Sequence, residues 1–230
     1  MKKGILLGMV LTAALAVLGS ACSQTANNNA NVAMNRNAMP MNANSMPSNM
    51  SNMPMNGNSN MSGMDDMKSS PNAASQPYDL QFIDTMTHHH QGAVDMAKVA
   101  LAKTSNEELK KFAQKIIEDQ NKEITQMKDW REKWFAGKAM AMNMDMPGMS
   151  DSMKMMSADG MKKMEAMGGK EFDTMFLDMM TPHHAGAITM AKEALTKAEH
   201  AEIKTLANQI VKAQEAEIKQ MADWKSKWSK

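Results

Sequence analysis

The feature that most constrains the fold is an internal duplication. Residues 79–134 match residues 173–228 at a constant offset of 94 positions without a gap. The agreement is strongest between the stretches FIDTMTHHHQGAVDMAK and FLDMMTPHHAGAITMAK. A unit copied in this way predicts a fold of two equivalent halves, in which neither half covers its own apolar surface.

Each copy has the periodicity of two helices. In the first copy, apolar residues from Phe82 to Ala100 recur every three or four positions, and a second apolar stripe runs from Leu109 to Trp134. The interruption at residues 104–106 is short, so it predicts an antiparallel αα-hairpin. Two such hairpins packed face to face predict an all-α chain built around a four-helix bundle.

The composition excludes several other folds and functions. Aromatic residues make up 4% of the chain, which leaves little material for a β-sandwich. A single Cys cannot form a disulfide framework, a Cys₄ zinc site or a CxxC redox centre. The net charge of +1 gives no reason to expect nucleic acid as a partner. Methionine, with 31 residues, is the outlier that needs an explanation.

The first residues have the pattern of an export signal. A positive start, Met1-Lys2-Lys3, is followed by an apolar run and then by small residues before Cys22. We expect cleavage before Cys22, either by general signal peptidase or with lipidation of Cys22, which would give a lipid anchor in a membrane. The predicted location is therefore the periplasm or cell envelope.

Two Met-rich tracts separate the remaining segments. The first mixes Met with Asn, Ser, Pro and Gly and has no helical or strand period, so it is predicted to be disordered. Part of the second, residues 150–167, has weak helical character. The predicted organisation is a signal peptide at 1–21, a disordered Met/Asn-rich segment at 22–77, a helical hairpin at 78–134, a Met-rich linker at 135–171 and a second hairpin at 172–230.

A pair of adjacent histidines is bracketed by methionines in both copies. On a helical wheel His89 and His90 lie on either side of the apolar seam, with Met86 at its centre and Met96 near one edge. Any one buried His or Met is usually a packing residue. The recurrence of the whole combination, in a chain with so much further methionine, favours a metal site.

Polar side chains on the second helix of each copy would orient these imidazoles. Gln120 and Glu123 fall on the apolar face, where a polar group needs a partner, and an imidazole N–H across the seam can supply one. Gln214 and Glu217 repeat the arrangement in the second copy. We therefore expect all four to hold imidazoles in the orientation that binds metal.

The ligand chemistry selects the metal. Thioether sulfur is soft and uncharged, so it suits Cu(I) and its mimic Ag(I) and is poor for Mg²⁺, Ca²⁺ or Mn²⁺; a mixed His/Met set also accepts Cu(II). A di-iron bundle would need Glu-x-x-His motifs, and no Glu lies three residues before any His. A zinc hydrolase would need HExxH, and neither HHHQG nor PHHAG fits that pattern.

The paired motifs carry a family resemblance. Phe-x-x-x-Met-x-x-His-His-x-x-Ala-x-x-Met-Ala, followed by Gln-x-x-Glu-Ile-x-x-Met-x-x-Trp, resembles the CopM-like, Met/His-rich, ferritin-like family of exported copper-binding proteins, long catalogued as a domain of unknown function. The resemblance covers both copies and implies a ferritin-like bundle that binds copper in the periplasm. Pro182 keeps the family's Pro before the histidine pair and should kink its helix, whereas His88 replaces it in the first copy. The ligands implied by match are Met86, His89, His90, Met96, Met127, Met180, His183, His184, Met190 and Met221.

The sequence is compatible with three alternative functions. The first is a non-enzymatic binder that sequesters Cu(I) and contributes to copper tolerance, with copper-delivery or efflux proteins as its expected protein partners. The second is an oxidant sink that cycles Met through the sulfoxide, which explains the tracts but not the histidine pairs. The third, a copper-dependent redox enzyme, has no identifiable substrate pocket. For the binder, Cu(I) at the histidine pairs is expected to weaken as pH falls from about 7 to 5, because imidazole must lose its proton to bind metal.

Overall fold

The structure is a computed structural model, and the residues that it describes are 68–154 and 156–228. The predicted signal peptide, Cys22 and most of the first Met-rich segment lie outside these residues. No β-strand occurs in the described ranges, so the all-α prediction is confirmed. The helices are α1 (Tyr78–Lys103), α2 (Glu107–Phe135), α3 (Met149–Lys154), α4 (Ala158–Ala166), α5 (Gly169–Lys197) and α6 (Ala201–Trp228), with a 3₁₀ turn at Ala73–Ser75 before α1.

The boundary between α1 and α2 follows from local side-chain chemistry. Thr104 takes an extended conformation and ends α1. The side chain of Asn106 then accepts hydrogen bonds from the backbone N–H groups of Glu108 and Leu109, which would otherwise lack partners in the first turn of α2. Glu107 and Glu108 add negative charge at the positive end of the helix dipole. The chain therefore reverses within three residues, and α1 and α2 form an antiparallel pair.

The four long helices pack as a bundle. α1 pairs with α2, α5 pairs with α6, and α1 packs against α5 between the two hairpins. The outer helices also meet, because Phe112 of α2 contacts Trp224 of α6 edge-on at 5.2 Å between ring centroids. Lys115 of α2 forms an ion pair with Glu217 of α6 at 2.9 Å. The four-helix bundle predicted from the duplication is thus confirmed, and its two halves are joined by both apolar and charged contacts.

The Met-rich linker is more ordered than its composition indicates. The sequence predicts only weak helical character for residues 150–167, but most of the tract packs against the bundle as α3, α4 and the turns around them. Asp84 of α1 accepts the backbone N–H of Ala141 at 2.8 Å and the guanidinium of Arg131 at 2.6 Å, which ties the start of the linker to both helices. Six of its methionines are buried in the core, namely Met146, Met149, Met153, Met156, Met161 and Met164.

The end of the first Met-rich segment is also ordered. The backbone N–H of Ser70 donates to the carbonyl of Met142 at 2.7 Å, and the side chain of Gln81 donates to the carbonyl of Gln76 at 2.7 Å. Residues 68–77, assigned to the disordered segment by composition, therefore form a short strap across α1 and the linker. These contacts are hydrogen bonds of backbone and polar side-chain groups, which leave no apolar period in the sequence. Among the described helices, none is both long and apolar enough to cross a membrane.

Candidate metal centre

Four histidines meet where the two hairpins join. His89 and His90 come from the middle of α1, His183 and His184 come from the middle of α5, and all four side chains are 0% exposed. The rings of His89 and His183 face each other at 3.7 Å between centroids, inclined by 33°. Within each pair the neighbouring rings are 6.2 and 6.4 Å apart. The duplication thus brings the two histidine pairs together at one centre, with His89 and His183 as its inner pair.

The outer histidines are held by carboxylates from the second helix of each hairpin. His90 Nε2 lies 2.6 Å from Glu123 Oε2, and His184 Nε2 lies 2.9 Å from Glu217 Oε2. A carboxylate accepts hydrogen bonds, so Nε2 carries the proton in each ring. In the neutral ring Nδ1 then keeps its lone pair, and both Nδ1 atoms are buried without a hydrogen-bond partner. This tautomer leaves Nδ1 available as a metal ligand.

The inner histidines are the least satisfied polar groups of the centre. His89 Nε2 is 3.0 Å from the hydroxyl of Ser152, and its Nδ1 has no partner. Neither ring nitrogen of His183 has a hydrogen-bond partner. Two buried imidazoles with three unpartnered nitrogens carry a cost of desolvation that a bound ion would offset.

Burial also keeps the inner histidines neutral. Desolvation is the main cause that holds the pKa of His89 well below its ordinary value of 6.5, and the charge that His183 and His90 would carry adds to it. The pKa of His183 is likewise held well below 6.5, first by desolvation and then by His184 and His90. The backbone of His89 has the smallest of these effects and raises the pKa of His183. Neutral imidazole is the form that binds metal, so the centre is prepared for a cation without first losing a proton.

The six methionines expected as ligands all lie in the core. Each is at most 1% exposed, and the sulfur of Met221 accepts a hydrogen bond from the hydroxyl of Thr181 at 3.8 Å. Burial of this kind serves packing as well as ligation. The group consists of Met86, Met96 and Met127 from the first hairpin and Met180, Met190 and Met221 from the second.

The glutamines do not hold the imidazoles. Gln120 is 3% exposed, and neither its amide nitrogen nor its amide oxygen has a hydrogen-bond partner. The amide oxygen of Gln214 is likewise buried without a partner. The contacts with His90 and His184 are made by Glu123 and Glu217, nearly one helical turn further along. A helical wheel gives the face of each residue but not its depth along the partner helix, so it treats Gln and Glu alike.

Two further residues at the centre belong to the linker and lie outside the repeated sequence motifs. Ser152 of α3 contacts His89, and Met156, just after α3, lies beside His183 and Gly92. Among the described residues, no group of three or more His, Cys, Asp and Glu side chains is placed to hold a metal ion.

Comparison with known proteins identifies the family to which the sequence belongs. The model of the family described as "Domain of unknown function (DUF305)" matches residues 16–131 and again residues 79–225. Comparison with curated proteins gives no significant match.

Solved structures show the same relationship. A DUF305 protein of Streptomyces coelicolor, thought to be secreted, is 31% identical, with a TM-score of 0.60 over 66% of this chain and 93% of its own. CopM in its Cu(II)-bound form is 40% identical, with a TM-score of 0.56 over 65% of this chain and 97% of its own. CopM in its Cu(I)-bound form is 39% identical, with a TM-score of 0.54 over 65% and 96% of the two chains. With two matches to the family model and solved relatives of the same fold, the chain belongs to the DUF305 family.

Proposed function

We propose that this protein binds Cu(I), and Ag(I) by the same chemistry, at the four-histidine centre, and that it sequesters the ion rather than using it for catalysis. The observation that carries the proposal is the set of five buried imidazole nitrogens without hydrogen-bond partners at the junction of the two hairpins. Buried polar atoms are nearly always satisfied, so a cluster of unsatisfied ones at a single place points to a missing partner. A neutral imidazole has one lone pair, so four of these five nitrogens can act as lone-pair donors, and a cation is the partner that such donors take.

The likeness to CopM supports copper as the cation. CopM has been crystallised in Cu(I)-bound, Cu(II)-bound and Ag-bound forms, and it is 38–40% identical to this chain in those structures. The duplicated His-His pairs and the thioethers buried in the core are the soft and borderline ligands that these ions prefer. Cu(II) is accepted by the imidazoles, but the thioether content favours Cu(I).

The cellular role follows from the binding chemistry and the N-terminal signal. An exported binder, soluble in the periplasm or lipid-anchored through Cys22, would lower the free copper there and contribute to copper tolerance. Copper-delivery or efflux proteins are the partners with which it would exchange the ion. The same expected ligands from both hairpins, His89, His90, His183 and His184 with their neighbouring methionines, would hold the cargo, and Glu123 and Glu217 would fix the outer rings.

The oxidant-sink alternative is disfavoured by where the described methionines lie. An oxidant reaches exposed thioethers first. Most methionines of the linker and helices are buried, whereas Met140, at 57% exposed, is the one large apolar side chain of the described residues that is strongly exposed. Oxidation of the buried set would place polar sulfoxides in the core, so their cycling would disrupt the bundle.

Copper binding at the centre is expected to stabilise the folded bundle. A ligand that binds only the folded state at about 100 times its Kd adds about 2.7 kcal/mol to the free energy of unfolding. We expect this gain in anaerobic urea unfolding with free Cu(I) set by a chelator buffer. Copper held outside the bundle would leave the unfolding free energy unchanged, so this measurement separates the centre from the Met-rich tract.

Two single variants sharpen that experiment. His183→Gln removes an unpartnered ligand of the centre and should abolish most of the copper-dependent gain. His200→Gln changes a histidine that bonds Asp79 at 2.6 Å and stacks on Trp134, away from the centre, so its gain should remain. Equal gains in the wild type and in His183→Gln would refute binding at the centre.

A further inference from the structure

The linker passes directly over the histidine centre. α3 packs mainly against α5, and two glycines allow a very close approach. A Cβ on Gly186 would lie 2.4 Å from the carbonyl oxygen of Gly148 and 2.4 Å from Ser152 Cβ. Gly148, with a positive φ of 86°, is equally crowded by the backbone of Gly186. Only a hydrogen atom fits in place of a side chain at Gly148 and Gly186. The linker backbone therefore contacts α5 at Gly186, two residues after His184.

The seated linker places a thioether next to the inner histidine. A Cβ on Gly92 would lie 3.1 Å from Met156 Sδ, 2.7 Å from Met156 Cε and 3.5 Å from His183 Nε2. The sulfur of Met156 and an unpartnered nitrogen of His183 thus converge on the same point on the surface of α1. Met156 is 0% exposed, so its sulfur is as dry as the imidazoles.

The linker also determines the tautomer of the other inner histidine. The hydroxyl of Ser152 donates to the carbonyl of Met149 at 2.8 Å. Its only proton is used there, so in the contact with His89 the Ser152 oxygen accepts and His89 Nε2 donates. His89 Nδ1 therefore carries the free lone pair, and it has no other partner. One segment of the linker consequently places a sulfur near His183 and leaves the lone pair of His89 on Nδ1.

We propose that the linker completes the metal centre, with Met156 as a thioether ligand that acts together with His183 and His89 and gives the centre its preference for Cu(I) and Ag(I). This inference rests on the proposed function. The site then requires three separate parts of the chain, α1, α5 and the linker between the hairpins. A thioether adds much to the binding of a soft monovalent ion and little to that of Zn(II), so Met156 acts on selectivity as well as affinity.

The test compares two Met→Leu variants of the full chain. Met156→Leu keeps the volume and apolar character of the side chain but removes the sulfur. Met164→Leu is the matched control, because Met164 is also a fully buried linker methionine, in α4. Affinities for Cu(I) are measured anaerobically against a chromophoric chelator, and affinities for Zn(II) are measured by competition. We expect Met156→Leu to bind Cu(I) at least about 10-fold more weakly with little change in Zn(II), and Met164→Leu to match the wild type.

The outcomes separate this inference from the proposed function. If Met156→Leu retains the wild-type Cu(I) affinity while His183→Gln loses it, Met156 is not a ligand and the centre stands without the linker. Equal losses in Met156→Leu and Met164→Leu would show a packing effect and would also overturn the inference. If His183→Gln and Met156→Leu both retain wild-type affinity, the centre itself is misassigned.

Discussion

Acidification from pH 6.5 to 5 is expected to destabilise the metal-free bundle steeply. In the unfolded chain His89 and His183 take up protons with a pKa near 6.5, whereas burial holds the pKa of both well below that value in the folded state. The unfolded state thus binds more protons below pH 6.5, so the free energy of unfolding falls as pH falls. Well below pH 6.5, each imidazole lowers the free energy of unfolding by about 1.4 kcal/mol per pH unit while its folded form stays neutral, so the pair lowers it by about 2.8 kcal/mol per unit.

Urea unfolding of the metal-free protein at pH 7, 6 and 5 measures this effect. The double variant His89→Gln/His183→Gln lacks both titrating groups, so its stability should change much less over the same range. His88, whose pKa is also lowered by burial, remains in both proteins and contributes equally. The depressed pKa of Glu217 acts only below about pH 4.5, outside this window. A wild-type slope no steeper than that of the double variant would contradict the burial of neutral imidazoles at the centre.

Replacing all four histidines of the centre with alanine is expected to remove the tight class of Cu(I) binding. The variant His89→Ala/His90→Ala/His183→Ala/His184→Ala loses every unpartnered imidazole nitrogen of the junction, and loss of even one supporting group typically costs 10- to 100-fold in metal affinity. We therefore expect a fall of more than about 100-fold in the tightest Cu(I) affinity, measured against a high-affinity chelator. Weak binding by thioethers elsewhere should remain.

Folding of this variant is checked by circular dichroism, because four cavities in the core lower the stability of the bundle. Should its helicity fall, the double Gln variant, which keeps more of the side-chain volume, carries the same test. Tight binding retained by a folded variant would mean that the histidines are structural.

The structure also lowers the pH at which copper binding at the centre is expected to weaken. Because the inner imidazoles stay neutral below their ordinary pKa, copper binding should persist further below pH 6.5 than solvent-exposed imidazoles would allow.

The bundle, and the position of each histidine pair on its buried seam, could be predicted from the sequence because the duplication records them twice. The meeting of the two pairs at one centre is visible only in the structure. Phe82 and Phe176, or His89 and His183, occupy equivalent positions on equivalent helices, so the apolar face of one copy shows what the other must cover. The pairing of His90 with Glu123 and of His184 with Glu217 follows from the same faces. The choice of Glu over Gln, however, depends on the offset between antiparallel helices, and side-chain periodicity does not contain it.

The linker could not be predicted in the same way because it occurs once. Its methionines look alike in a low-complexity tract, and nothing in their spacing separates Met156, beside His183, from Met140 at the surface. The residues that allow the linker to pack against the bundle lie far from it in the sequence. Gly92 and Gly186 recur in the two copies, and their missing side chains become meaningful only once Met156 and Ser152 are seen to fill the space.

The central claim is that copper binds where the two histidine pairs meet. X-ray absorption at the copper edge of the full chain, loaded anaerobically with one equivalent of Cu(I), tests it most directly. The account predicts a mixed shell of imidazole nitrogen and thioether sulfur, with the outer-shell scattering of imidazole rings, and a loss of the nitrogen component in the four-histidine variant. A shell of sulfur alone, unchanged by removal of the four histidines, would place the tight copper in the Met-rich tracts and contradict the claim.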